Sequence, residues 1–328
     1  MPSRPQPLTA EAWALIAALS IPWGLSFFFY RFLVNDFPPL TLVFGRVGFA
    51  ALALYALVRC RGQRMNLRWR DFFVMGTLNN VIPFTLIAWA ETRIESGPAA
   101  ILNATTPIFT ALVLHAFRAE ALTRTRVAGV VLGFAGVAIL VGPDAWGITR
   151  DLPAEAACLL ASVSYAFTAL WSRLLRHVDP LLAATGQVTA STIILAPLAL
   201  VFDQPWLLPM PGAVAWLALL GAALISTALG YFIFFRILAV AGSGNLMLVT
   251  FLIPISAMIL GATFLHEAIT LSAVAGMAVI GAGLAAIDGR LIRCGGPLAR
   301  NRRAVAGSGD GKRHRHRWHR RTHGTPAG

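Results

Sequence analysis

Arg46 is the residue whose type and position point most directly to chemistry. It lies about eight residues inside an apolar stretch, roughly 12 Å deep at about 1.5 Å per helical residue. An arginine at that depth costs at least ~2.5 kcal/mol on membrane-insertion scales and ordinarily faces a cavity or a partner. Two readings fit it. One is a guanidinium that grips an anion, such as a carboxylate, through two parallel hydrogen bonds. The other is an arginine bonded to backbone carbonyls freed at a helix break. The adjacent amides Asn79 and Asn80 are the next signal. Neighbouring helical residues point about 100° apart, so the two cannot both face lipid cheaply, and a binding surface is expected there.

Other polar side chains at similar depth complete an expected cavity lining: Trp23, Thr106, Tyr165, Ser226 and Thr227, with Ser20, Ser26, Thr105, Ser164, Gln187 and Thr250 in support. Each Ser or Thr alone is more often an interhelical hydrogen-bonding group. No catalytic constellation accompanies them. His266-Glu267-Ala268-Ile269-Thr270 lacks the second histidine of a zinc-binding HExxH helix. There is no GxSxG elbow, no P-loop and no pair of buried carboxylates, so an enzyme is disfavoured and no cofactor is implied. Cys60, Cys158 and Cys294 are far apart and form no metal-spaced or CxxC pair. Glu91, Glu95, Glu155 and Asp288 all fall near the ends of apolar stretches. Proton coupling through a mid-span carboxylate, the common arrangement in pumps, is therefore unsupported.

The elements that must position these residues are membrane helices. The chain is 57% hydrophobic and 12% charged, with mean hydropathy +0.70, about half the charge of a soluble domain. Apolar runs of about 20 residues suit a hydrocarbon layer of roughly 30 Å. The pattern predicts ten spans near 11–30, 38–58, 71–90, 97–117, 124–142, 153–172, 181–202, 212–235, 244–265 and 271–289. The expected class is an all-α polytopic membrane protein. Residues 1–10 form a cytoplasmic N-terminus, 11–142 and 153–290 form two five-helix units, and 291–328 a tail.

The two units are related. Residues 97–138 and 244–285 align without a gap at an offset of 147, with 13 identities in 42 positions. Roughly four would be expected between apolar segments of this composition. Pro107 meets Pro254, Glu120 meets Glu267, and Thr123 meets Thr270. The duplicated glutamates read as turn residues, with the threonines capping the helices that follow; the duplicated prolines read as kinks or hinges. Gly129, Gly133 and Gly136, like Gly276, Gly281 and Gly283, recur at the small-residue spacing of close helix packing. At offsets of 142 and 145, Trp23 meets Tyr165 and Gly76 meets Gly221.

Charge decides orientation. Alternate loops place 23 Lys/Arg on one face and three (Arg31, Arg93, Arg150) on the other, which predicts cytoplasmic termini and two halves of opposite orientation. The tail holds ten Lys/Arg against one acid, Asp310, so most of the net charge of +13 lies outside the spans. It carries no argument for nucleic-acid binding. The tail is expected to be disordered beside anionic lipid head groups, with Trp318 at the interface.

The two five-helix repeats, each closing with Pro…Glu-x-x-Thr…Gly, resemble the EamA family of the drug/metabolite transporter superfamily. Trp23-Gly24, Arg46 and the run Asn79-Asn80-x-x-Pro83-Phe84 through Ile101-Leu102-Asn103-Ala104-Thr105-Thr106-Pro107 carry the same resemblance over residues 11–290. It implies a bacterial inner-membrane carrier for a small polar metabolite, amino acids first among them, with export the commoner role. A sensor or accessory subunit keeping the fold is the rival from another class. A lipid translocator is the other, and would require a polar groove open sideways to lipid.

Overall fold

The computed structural model describes residues 8–65, 68–94, 99, 102–141, 151–264 and 270–288, and these are helical almost throughout. In chain order the helices are α1 (Ala10–Leu33), α2 (Pro39–Cys60), α3 (Trp69–Gly76), α4 (Ile82–Ala90), α5 (Thr106–Ala116), α6 (Arg124–Val141) and α7 (Leu152–Trp171). There follow α8 (Pro180–Leu198), α9 (Ala213–Gly221), α10 (Gly230–Ala241), α11 (Ser243–Leu246), α12 (Val249–Phe264) and α13 (Leu271–Asp288). Side-chain oxygens open several of them: Thr9 accepts from the Ala12 amide, and Asp179 from the Leu181 and Leu182 amides.

Among the described residues seven stretches are long and apolar enough to cross a membrane: Ala10–Tyr30, Pro39–Cys60, Trp69–Ala90, Leu152–Leu175, Pro180–Asp203, Ala213–Ala241 and Ser243–Phe264. The stretch expected as a span over 97–117 is interrupted. A turn at Ala104–Thr105 precedes α5, and Pro107 sits in its first turn, where the missing N–H costs nothing. The Asn103 carbonyl, four residues before that proline, accepts from the Thr106 hydroxyl at 2.7 Å. Pro254, its counterpart in sequence, lies inside α12. The matching prolines thus occupy different places in their helices, one in a first turn and the other in a helix interior.

Helix neighbours come in reciprocal pairs. α1 packs on α12 as α5 packs on α7; α1 also meets α9 and α10 as α7 meets α4, while α2 packs on α8 and α6 on α13. At the last contact a Cβ on Gly129 would stand 2.6 Å from the Gly283 carbonyl, and one on Gly283 would stand 2.7 Å from that of Gly129. The two backbones touch, which only glycine allows. Large apolar side chains such as Leu52, Val201, Leu217 and Leu271 face outward, as a lipid-facing surface requires.

Gly76 and Gly221 mark a second shared feature. Directly after each, the helix widens into a π segment, Thr77–Val81 and Ala222–Leu229, before α-geometry resumes. Such widenings free carbonyls and concentrate at functional positions.

The Glu120 turn is built as the sequence suggests, with one addition. The Thr123 hydroxyl accepts from the Arg126 amide at 3.3 Å, and Arg126 also pairs with Glu120 at 2.8 Å, largely out of solvent. A Cβ on Gly244 would collide with both charged groups, so this ion pair lies against the start of α11. Position 273, the counterpart of Arg126, is alanine. Glu267, Gly97 and the basic tail lie outside the described residues.

Candidate functional site

Between the helices lies a cavity of about 80 Å³, lined from both halves of the chain. Room for one water takes about 10–15 Å³, so the space suits several waters or a small metabolite. Arg46 reaches it from α2. The arginine is only 3% exposed, and three hydroxyls hold it: Nε donates to Thr227 Oγ1 at 2.7 Å, Nη1 to Tyr30 at 3.0 Å and Nη2 to Ser26 at 3.0 Å. Its guanidinium lies over the Phe84 ring, 4.3 Å from the centroid. Among the described residues no backbone carbonyl accepts from it. Of the five N–H donors on a guanidinium, one on each terminal nitrogen is left over. None of the ion pairs among the described residues includes Arg46.

Residues 8–142 and 152–287 each match the EamA-like transporter family. The chain belongs to that family. An uncharacterized transporter of Bacillus subtilis is 21% identical over 274 residues, covering 82% of this chain and 94% of its own length. An uncharacterized transporter of Archaeoglobus fulgidus is 24% identical, covering 84% of this chain and 97% of its own length. An uncharacterized inner membrane transporter of Escherichia coli is 27% identical over 66% of this chain and 72% of its own length. A solved crystal structure superposes with a TM-score of 0.70 at 18% identity, over 84% of this chain and 97% of that one, and shares the fold. Family and relatives point to a multi-pass membrane transporter.

Four of the eight residues expected around the cavity of this EamA-like protein line it: Trp23, Arg46, Asn79 and Tyr165. Trp23 and Tyr165, equivalent in the two repeats, face the same space. Gly230 leaves room for the indole, since a Cβ there would stand 2.8 Å from its nitrogen, and Tyr231 meets the indole edge-on.

The other four lie behind the wall, each for a physical reason. Asn80 is fully buried in a polar layer: its Nδ2 donates to Ser191 at 2.8 Å, and its Oδ1 accepts from Gln187 at 3.0 Å and, in a very short contact, from the Tyr231 hydroxyl. Thr227 holds Arg46 and donates to the Ala222 carbonyl in its own π segment at 2.9 Å. Thr106 satisfies the Asn103 carbonyl. Ser226 is buried, and its hydroxyl has no hydrogen-bond partner among the described residues.

The first π segment is secured in the same way. Ser164 donates to the Leu78 carbonyl at 2.7 Å and Asn79 Nδ2 to Gln187 at 3.2 Å, while the Tyr231 hydroxyl, its proton directed at Asn80 Oδ1, lies 3.3 Å from the Asn79 carbonyl. Several lining residues were not expected in the cavity from the sequence: Tyr30, Glu91, Asn103 and Tyr231. Tyr30 follows Ser26 by one helical turn, a spacing that places both on one face of α1. Glu91 is the first residue past α4 and reads from sequence as a membrane-edge charge, yet it stands in the cavity wall.

Proposed function

We propose that this protein is a ten-span carrier of the bacterial inner membrane, both termini cytoplasmic, that exports a small polar metabolite by alternating access between two inverted five-helix halves. The observation that carries the reading is Arg46: a buried cation held by three hydroxyls, with two donors to spare, in the wall of a cavity between the helices. A cargo carboxylate is the partner such a fork accepts. The loop-charge asymmetry supports the orientation, and the reciprocal helix contacts are what two related halves would make. Amino acids lead the candidate cargoes. One relative, 26% identical over 58% of this chain, is the probable terminal-alkyne amino-acid exporter of Streptantibioticus cattleyicolor.

A second cavity, about 540 Å³, opens between α2, α8 and α9. Its walls are mostly apolar, among them Phe44, Phe49, Leu52, Ile193 and Trp216. A lipid translocator needs a polar path for the head group, and this groove does not offer one.

The test is Arg46→Lys, which keeps the charge and removes the planar fork. Uptake of a labelled amino-acid mixture into proteoliposomes should fall at least about tenfold, as loss of a charged hydrogen bond implies. Unchanged uptake would overturn the assignment of Arg46 to the cargo.

A further inference from the structure

We propose that Glu91 and Asn103 form a cation-binding end of the central cavity, so that the cargo is a small zwitterion. Its carboxylate would rest on Arg46 and its ammonium group on Glu91 and Asn103. The inference builds on the reading of this cavity as the transport site and adds a second recognition group to it.

Two acceptors in the cavity wall lack donors. Glu91 Oε1 and Asn103 Oδ1 are both out of solvent and have no hydrogen-bond partner among the described residues. Buried acceptors are rarely left empty, and an unsatisfied carboxylate oxygen is more costly than a neutral one. Local structure does not explain Glu91 either. It caps the C-terminus of α4, where the negative end of the helix dipole disfavours a carboxylate. None of the described ion pairs includes it. Arg93, two residues further on, bonds Asp151 instead.

What the two oxygens share is a need for donors. An ammonium group brings three N–H donors and a positive charge, and so answers both at once. Charge balance selects the rest of the cargo. The wall holds one fixed cation and one carboxylate, Arg46 and Glu91, and no ion pair joins them. A simple anion would leave Glu91 unanswered, and a simple cation would leave Arg46 so. A molecule with both groups satisfies each end. Trp23, Tyr165 and Tyr231 line the same wall, and an ammonium placed over any of these rings gains a further attraction.

The experiment uses the full-length protein in detergent, with thermal melts against the common amino acids and their deaminated and methyl-ester counterparts. At least one free amino acid should raise the melting temperature, and its deaminated acid and its ester should do so much less. Glu91→Gln should weaken the free amino acid about tenfold or more, bringing it level with the deaminated acid. Asn103→Ala should act in the same direction and serves if Glu91→Gln folds poorly. Equal binding of amino acid and deaminated acid, or no effect of either variant on that preference, would overturn the cation site and leave the Arg46 anion site standing. If neither class binds, and Arg46→Lys changes nothing, the cavity is not the transport site and both readings fall.

Discussion

The π segments that follow Gly76 and Gly221 share a backbone device and differ in what they do with it. Each begins directly after an equivalent glycine, Gly76 or Gly221. The first places Asn79 and Asn80 against α8 and α10, where Gln187, Ser191 and Tyr231 take up the amide groups. The second places Thr227 beneath Arg46. One widened helix therefore builds a closed polar layer, while the other steadies a charge at the cavity. A duplicated chain keeps the helical geometry that both halves need, and changes the few side chains that must differ where two unlike chemical tasks meet in one cavity.

Breaking the first segment should produce the largest effect. Asn80→Leu keeps the volume and leaves the Gln187 amide without its acceptor, which should lower stability by about 3 kcal/mol. Denaturation in detergent would show it, and a loss below about 1 kcal/mol would mean the layer is held by packing instead of hydrogen bonds.

Thr227→Val tests the second segment. It removes one hydrogen bond to a charged group, worth about 1.5–3 kcal/mol, so stability should fall by about 2 kcal/mol. Because it also loosens Arg46, cargo affinity should fall with it, whereas Asn80→Leu variants that remain folded should bind nearly as wild type. Equal losses of affinity would erase the division of labour between the segments.

The glycines sharpen the comparison further. A Cβ at 76 would stand 2.9 Å from the Gln187 carbonyl and 2.7 Å from the Ser191 hydroxyl, whereas one at 221 would meet the tip of the Phe29 ring at 2.6 Å. Backbone yields less than a ring edge, so Gly76→Ala should cost about 1–3 kcal/mol and Gly221→Ala less. The reverse order of melting temperatures would contradict the geometry.

The smallest effect is expected away from both segments. The hydrogen bond from Arg93, then that from the Ala154 amide, holds the Asp151 carboxyl below its usual range. A lowered carboxyl stabilises the folded state above its unfolded value, near 3.9, and that contribution is lost as pH falls through the lower folded value. Wild type should therefore melt slightly above Asp151→Asn at neutral pH, and level with it once the pH lies below the folded value.

Much of this was legible in the chain. Among the described residues seven of the expected apolar runs form helices long enough to cross a bilayer, because about 20 apolar residues leave the backbone few other ways to satisfy its polar groups there, while the run before Pro107 is broken by a turn. The duplication and the burial of Arg46, Asn79 and Asn80 were visible as well, since a polar residue inside an apolar run must turn away from lipid. What each polar residue touches was not visible. Asn80 and Thr227 look as well suited to a cavity wall as Asn79, but each is turned behind the wall onto a neighbouring helix. Glu91 looks like an edge charge but faces the cavity. Sequence fixes depth along a helix through spacing and hydropathy. The direction a side chain faces depends on π widening, on a broken helix before Pro107 and on which neighbour packs alongside, and only the assembled helices decide those.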